Sequence, residues 1–363
     1  MKVRVASYNT ALSRTSSDEL LAALKSTFVA KDKSDTDKQV LATVALLQEI
    51  RADIILLNEV DFDASGESAE TLINLLRQPK DGRAELDYPF LFCQPVNTGM
   101  PSGRDFDKNG IASDKGADAL GFGDFPGQYG MLLLSRFPID HFSSRTFQHL
   151  LWRDMPNANL PKHSSGEPWF DDEDLAVLPL SSKSHWDVIV KVAGESLHCL
   201  CSHPTPPAFD GPEGRNVCRN QDELRFWTDY LSQAPYFVDD QRRRGGFSGS
   251  DFVLLGDLNA SPFEGDASRE TIQNLLTHPL MAELEFPKSK GGIVHSPKVN
   301  KAHSVSHTAV WRMQADYVRP SKSLNVIEQA VFWPDSNNHQ FSLLKNTSDH
   351  RLVYLDLDFT KTL

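Results

Sequence analysis

The stretch DFVLLGDLN, residues 251–259, is the clearest indication of the fold in this sequence. An apolar run is followed at once by Gly256 and then by two polar side chains, Asp257 and Asn259. This pattern is typical of a buried strand whose C-terminal end presents chemistry at the edge of a sheet. Gly256 permits a tight turn, and residues two apart on an extended backbone face the same side. The acid suits the orientation or deprotonation of a water, and the amide suits the holding of a phosphoryl oxygen.

Four further segments join an apolar run to a polar side chain. Asn9 ends VRVASYN (3–9), Glu59 follows the run in DIILLNEV (53–60), His203 follows LHCLCS (197–202), and Asp349–His350 precedes RLVYLDL (351–357). Because ligands of α/β proteins bind at the carboxyl ends of strands, we expect these places to build one site.

Glu59 follows the apolar run Ile54–Leu57, with Asn58 between. A carboxylate that leaves a hydrophobic strand is costly unless it is paired or bound to a cation. We therefore interpret Glu59 as a magnesium or manganese ligand. The alternative is a surface acid that begins a loop.

His350 lies next to an acid in Ser348-Asp349-His350, and Asp316 lies on a preceding predicted strand, in QADYV. A histidine between two acids can be held doubly protonated, and an imidazolium stabilises the charge that develops on a phosphate. A surface Asp–His pair in a turn is the alternative. His203 ends another buried run and could donate to the same phosphate, or be structural.

Helices and strands alternate along the chain, which favours an α/β class with sheets covered by helices. Strands are predicted at 3–9, 53–60, 130–136, 186–193, 196–202, 251–256, 315–319, 327–333 and 351–358, and helices at 18–28, 35–51, 67–77, 220–233 and 267–277. The helix at 35–51 is the best defined. Its apolar residues fall on one face, and Ser34 or Asp35 can cap it.

Two irregular insertions, near 95–128 and 145–180, interrupt this order. In the first, side chains with oxygen ligands occur at every second position, Asp105, Asp107 and Asn109, and Gly110 follows them. This pattern is typical of a calcium-binding loop. The twelfth position is Gly116, so Asp114 or Asp118 would have to replace the usual acid. A polar surface turn is the alternative to structural calcium. The second insertion, rich in Pro, Trp and acids, could rim a pocket or be a surface excursion.

Composition limits the function classes. The 363 residues carry a formal charge of −12, which opposes non-specific binding to long duplex nucleic acid. No stretch approaches the roughly 20 apolar residues of a membrane span, so we expect a soluble protein, and a monomer. Residues 1–10 lack a signal-peptide core, which indicates a cytoplasmic protein or the mature part of an exported one. The four cysteines are expected to be buried thiols.

Seven short motifs follow one another along the chain: SYN (7–9), LLNEV (56–60), GQYGMLLLSRFPI (127–139), CSHP (201–204), GDLN (256–259), ADYV (315–318) and SDHRL (348–352). Their order resembles the endonuclease/exonuclease/phosphatase superfamily of metal-dependent phosphoesterases. The longer strings LLNEVDFD, GFGDFPGQYGM, SSKSHWD and SHPTPPAFDGPEGRN resemble a bacterial branch of it. The resemblance implies a single domain over 1–363, with a four-layer α/β/β/α sandwich (DNase I-like), that hydrolyses a phosphate ester with water. Gln314 stands where the family has an arginine.

The resemblance also implies roles at the matching positions. Asn9 and Glu59 would bind Mg²⁺ or Mn²⁺, with Asp349 near the same ion. Asp257 would activate the water, and Asn259 would hold the phosphate.

The remaining matching positions concern the phosphate. His350, oriented by Asp316, would stabilise the transition state, and His203 would contact the phosphate. Lys183 falls where some relatives place a phosphate-contacting lysine, and His185 is nearby.

These patterns leave more than one function open. The first is a phosphoesterase acting on a small mono- or diester, and the alternative is a magnesium-dependent nuclease acting on DNA or RNA. A non-catalytic binding module is the remote possibility, because every catalytic position carries a residue of the needed type. The insertions would decide the substrate, which the motifs do not identify.

Overall fold

Strands and helices alternate along the chain, as the sequence predicts. The computed structural model describes residues 1–296 and 302–359. The strands are β1 (Lys2–Asn9), β2 (Ile54–Asn58), β3 (Phe90–Phe92), β4 (Met131–Ser135), β5 (Ile139–Thr146), β6 (His185–Val192), β7 (Glu195–Ser202), β8 (Asp251–Asp257), β9 (Asp316–Pro320), β10 (Asn325–Val331) and β11 (Val353–Asp358). The α-helices are α1 (Glu19–Val29), α2 (Asp35–Ile50), α3 (Glu67–Leu76), α4 (Asp172–Val177), α5 (Arg215–Leu231), α6 (Arg269–Leu276) and α7 (Lys290–His295). Short 3₁₀ helices cover Trp152–Asp154, Ser304–Ser306 and His339–Leu344.

The strands form two mixed sheets. The first has six strands in the order β10-β11-β1-β2-β4-β3, and the second has five in the order β5-β6-β7-β8-β9. Each sheet contains one parallel pair, β1 with β2 in the first and β7 with β8 in the second. Both parallel pairs lie inside their sheets, where both faces are buried.

Alternation along the central strands builds the layers. On β2, Ile55 and Leu57 pack against the helices α1, α2 and α3, whereas Ile54 and Leu56 face the second sheet. Each such leucine or isoleucine contributes about 1.5–3 kcal/mol when it leaves water completely. The first sheet is therefore covered by helices on one face and by the second sheet on the other.

The second sheet repeats this arrangement. On β8, Val253 and Leu255 join the core between the sheets, and Leu254 packs with α5 and α6 through residues such as Trp227 and Ile272. One apolar layer thus lies between the first sheet and its helices, a second between the two sheets, and a third between the second sheet and its helices. The predicted four-layer α/β/β/α sandwich is confirmed.

The helix predicted at 35–51 is confirmed as α2. The side chain of Ser34 accepts a hydrogen bond from the backbone N–H of Asp37, and the side chain of Asp37 accepts one from the backbone N–H of Ser34. This reciprocal pair caps the N-terminus of the helix. Helix α5 begins at Arg215 rather than near 220. Its first turn is only half-buried and lacks the apolar spacing on which the prediction depended.

The four cysteines are free thiols, Cys199 and Cys201 being buried and Cys93 and Cys218 half-buried. In the described part of the chain, no helix has the length and apolar character needed to cross a membrane.

Candidate active site

The parallel strand pairs of the two sheets end at one place. Asn9 closes β1 opposite Asn58 of β2, so Glu59 is the first residue beyond that pair. In the second sheet, His203 follows β7 and Asp257 closes β8, where it pairs with Asp316 at the start of β9. The structure therefore brings together the polar residues that the sequence analysis placed at strand ends.

Gly256 is needed for the close approach of β7 and β8. Its φ is +151°, and a Cβ atom there would lie 2.0 Å from the carbonyl oxygen of Ser202. Any other residue would push the two strands apart just before Asp257.

Asn9 joins the two sheets at the centre of the site. Its Nδ2 donates to Glu59 Oε1 at 2.9 Å and to Asp257 Oδ2 at 3.0 Å. Burial raises the pKa of both carboxyl groups, that of Asp257 to about 6. A buried acid and a half-buried acid on one amide are costly without a cation, and amide and carboxylate oxygens suit Mg²⁺ or Mn²⁺. Asn9 and Glu59 have the chemistry to hold such an ion.

His350 and Asp316 form a buried hydrogen-bonded pair. His350 Nδ1 lies 2.8 Å from Asp316 Oδ2, and His350 Nε2 lies 3.6 Å from Asp257 Oδ2. Burial opposes protonation of the ring, but the charges of Asp316, Asp257 and Glu59 outweigh it and raise the pKa of His350 to about 10. The ring is thus an imidazolium at neutral pH, with Nε2 directed toward the carboxylate of β8.

His203 and Asn259 complete this edge of the site. His203 Nε2 lies 3.5 Å from Asp257 Oδ2, and burial lowers the pKa of His203 well below its usual value, so the ring is neutral. Asn259 donates its backbone N–H to Asp257 Oδ1 at 3.0 Å and its Nδ2 to the carbonyl oxygen of Pro204 at 3.1 Å. Both residues are fixed against the Asp257 carboxylate.

Asp349 lies apart from this buried set. Its side chain is exposed, and its carboxylate accepts a hydrogen bond from Ser348 Oγ at 3.4 Å. Among the described residues, no hydrogen bond or ion pair joins it to Asn9 or Glu59. Its assignment to the metal site stays a prediction from the resemblance.

Lys183 lies at the site, and His185 does not. Lys183 is buried and lines one cavity together with Glu59 and His203, and desolvation lowers the pKa of its ammonium group. His185, the first residue of β6, faces α5, where its ring stacks on Phe226 and its Nε2 lies 2.9 Å from the carbonyl oxygen of Glu223. Burial lowers the pKa of His185 to about 3. The structure gives His185 a packing position under α5 and not a substrate contact.

Two residues at the site were missed by the sequence analysis. Asn58 accepts the backbone N–H of Asp257 at 3.3 Å, which links β2 to β8, and its position inside LLNEV could have suggested this. Trp311 packs edge-on against His350, with ring centroids 4.7 Å apart. Trp311 reaches His350 because Ala309 forms a β-bridge with His350. No local sequence pattern predicts such a bridge.

The predicted calcium loop is folded around its acids. Carboxylate oxygens of Asp105, Asp107 and Asp118 lie within 4.8 Å of one another, so Asp118 is the acid that joins the other two. These oxygens accept backbone N–H groups, as Asp105 does from Asn109 and Asp118 does from Phe106. The hydrogen bonds account for the loop conformation, and calcium binding there stays a prediction.

Comparisons with known proteins agree with this architecture. The model of the Endonuclease/Exonuclease/phosphatase family matches residues 6–350. Among solved structures, an endonuclease/exonuclease/phosphatase from Beutenbergia cavernae DSM 12333 has a TM-score of 0.54 and 19% identity, over 98% of this chain and 71% of that chain. This likeness concerns the fold, and it confirms the expected DNase I-like sandwich.

Two further solved structures have TM-scores of 0.48. One is an endonuclease/exonuclease/phosphatase family protein from Leptotrichia buccalis C-1013-b, with 15% identity over 98% of this chain and 100% of that chain. The other is the human Nocturnin catalytic domain, with 16% identity over 99% and 95%. A search of curated proteins found no match. Because the family model spans nearly the whole sequence, the chain belongs to the Endonuclease/Exonuclease/phosphatase family.

Proposed function

We propose that this protein is a metal-dependent phosphoesterase, which hydrolyses a phosphate mono- or diester by in-line attack of an activated water. One observation carries the proposal: a continuous set of side chains, linked by contacts of 2.8–3.6 Å, is formed by buried Asp316, His350, Asp257 and Asn9 and by half-buried Glu59. A chain that used this fold only for binding would have no need to keep so many ionisable groups out of water.

Asp257 would orient the attacking water and accept its proton. Its pKa of about 6 leaves the carboxylate ionised at neutral pH while keeping it basic enough to take a proton. The hydrogen bonds from Asn9 and from the backbone of Asn259 fix the direction of both carboxylate oxygens.

His350, His203 and Asn259 would stabilise the phosphate oxygens. His350 offers an imidazolium N–H that Asp316 holds in one orientation, and hydrogen bonds from charged donors are the stronger ones. Neutral His203 offers one N–H, and Asn259 keeps a second amide hydrogen beyond its bond to the carbonyl of Pro204. Lys183 would contribute a further positive charge.

Asn9 and Glu59 would hold Mg²⁺ or Mn²⁺, with Asp349 assigned near the same ion by the family resemblance. When bound, the ion neutralises negative charge on the substrate oxygens. Glu59 supports this role because its Oε2 has no hydrogen-bond donor among the described residues, while Oε1 is held by Asn9.

The test is a hydrolysis assay on a monoester, a diester, plasmid DNA and a phospholipid, each with Mg²⁺, Mn²⁺, Ca²⁺ or a chelator. We expect turnover of at least one ester, and its loss after chelation with recovery when Mg²⁺ or Mn²⁺ is restored. Full activity after exhaustive chelation would exclude the metal-dependent mechanism. Faster cleavage of plasmid than of small esters would favour the nuclease alternative.

A further inference from the structure

A cavity of about 620 Å³ opens beside the catalytic residues. Three of these residues, Glu59, Lys183 and His203, line it. The rest of its lining is mainly apolar, and includes Phe106 and Phe122 from the first insertion and Trp152 and Phe170 from the second. A cavity of this size matches a small-molecule site and exceeds what a phosphate group alone would fill.

One arginine contacts both insertions at the walls of this cavity. Arg219 of α5 donates from Nη2 to the carbonyl oxygens of Leu120 at 2.7 Å and Pro179 at 2.8 Å, and from Nε to that of Leu180 at 2.9 Å. These carbonyls belong to the two insertions. The cavity is therefore shaped before any ligand enters.

Most polar groups in the walls already have protein partners. Asn216 Nδ2 donates to a backbone carbonyl 2.7 Å away, Trp152 Nε1 to a buried carboxylate 2.8 Å away, and Arg215 Nε lies 3.6 Å from a carboxylate. By contrast, Lys183 Nζ has no hydrogen-bond or ion-pair partner in the described part of the chain. Polar groups free to bind a ligand are thus concentrated beside the catalytic residues. The remaining surface of the cavity favours binding of an apolar group.

Two phenylalanines that line the cavity are open to solvent. Phe209 is 92% exposed and Phe122 is 62% exposed. Phe209 follows β7 and Phe122 comes from the first insertion, so two separate segments place an aromatic ring at the same cavity. Exposed apolar surface that borders a pocket indicates a binding surface.

We propose that the ester accepted by this site carries a large apolar group, alkyl or aryl, which fills the cavity while the phosphate lies against Lys183 and His203. This inference rests on the proposed function and adds the substrate class to it. Binding would bury the apolar group among Phe106, Trp152 and Phe170 and would cover the exposed rings.

The test measures binding of non-hydrolysable phosphonates, so that it does not depend on turnover. Alkylphosphonates from methyl to octyl, below the concentration at which they self-associate, are titrated into the full chain with Mg²⁺ by calorimetry. We expect Kd to fall by about fourfold for each added methylene, since each is worth about 0.8 kcal/mol of transfer free energy. The Kd values of phenyl- and naphthylphosphonate, compared with those of the alkylphosphonates, show whether the cavity prefers an aryl group or a flexible chain.

Variants at the cavity test whether its exposed phenylalanines cause the dependence of Kd on chain length. Phe122→Ala and Phe209→Ala should each reduce the octyl-to-methyl ratio of affinities by about threefold or more. Phe142→Ala is the matched control, because Phe142 is 86% exposed on β5 and does not line the cavity. A Kd that is independent of chain length, or no binding of octylphosphonate, would overturn the inference. Turnover of methyl phosphate esters tests the proposed function separately.

Discussion

The carboxylate of Asp257 lies where the other site residues meet. Its Oδ2 is 3.0 Å from Asn9 Nδ2, 3.5 Å from His203 Nε2 and 3.6 Å from His350 Nε2. The two histidines beside it differ in charge, because His350 has an acid on its other nitrogen and buried His203 Nδ1 has no partner among the described residues. One carboxylate thus has a neutral and a charged neighbour, which suits proton transfer on one side and charge stabilisation on the other.

Replacement of Asp257 by asparagine should remove the general base and keep its volume. We expect turnover to fall by about 10²–10⁴-fold, the range for a positioned base. Asp251→Asn is the control, since Asp251 begins the same strand at its opposite end. Steady-state kinetics with circular dichroism checks both variants. Near wild-type turnover by a folded Asp257→Asn variant would show that another group is the base.

The charge of His350 should depend on Asp316. The pKa of His350, raised to about 10, keeps the ring protonated at pH 7–8, and its contribution to stability is lost as the pH rises through that value. Asp316→Asn should lower this pKa and reduce turnover. An NMR titration of the imidazole signal, assigned with His350→Ala, measures the change. An unchanged titration curve in Asp316→Asn would contradict the role of the pair.

At the scale of elements, the two insertions are tied to each other. Asp174 of α4 is buried and lies 2.8 Å from Arg104 Nε and 2.5 Å from Lys108 Nζ, both in the first insertion. Burial alone would raise the pKa of Asp174, but the hydrogen bonds from Lys108 and Arg104 outweigh it and lower that pKa. The exposed contacts of Arg104 with Asp171 and Glu173 contribute less, because surface ion pairs are screened.

Asp174→Asn should loosen this connection. Removing the charge leaves two cations without their buried partner, so we expect a loss of about 1–3 kcal/mol. Because the folded pKa of Asp174 is depressed, the stabilisation is present above its unfolded value and lost as pH falls through the folded one. Limited proteolysis of residues 95–128, at neutral and acid pH, measures the effect. Asp172→Asn, on the same helix and exposed, should behave like wild type.

The strands that carry the site were predictable because each combines an apolar run with a polar end. Two edge strands were not. β5 (IDHFSSRT) is mostly polar and partly exposed, and β3 has three residues. The sequence allowed the second insertion to rim a pocket, but the lining of the cavity could not be predicted, since the insertions are joined by contacts such as Arg104 with Asp174, 70 residues apart. The direction of His185 could not be inferred from its place beside Lys183, because Lys183 precedes β6 and the ring of His185 stacks on Phe226 of α5.

For the whole molecule, charge bears on the size of the substrate. The net charge is −12, and in the basic run Arg242–Arg244 only the two outer arginines are exposed. Arg243 is committed to Asp239 at 2.7 Å and to backbone carbonyls of β5. A long polyanion would meet net repulsion over its length, whereas a compact ester would feel mainly the charges at the site.

We therefore expect a higher kcat/KM for a small phosphate ester than for duplex plasmid, per phosphodiester bond, at the same low salt. Low salt is the stringent condition, because attraction between a protein and DNA is strongest there and any basic groove would reveal itself. Raising the salt should change the activity on the small ester little, since groups within the buried site are screened less than surface charges. Faster cleavage of plasmid, with a steep fall as salt increases, would instead indicate a nuclease that gathers its positive charge locally around the bound metal, Lys183 and His350.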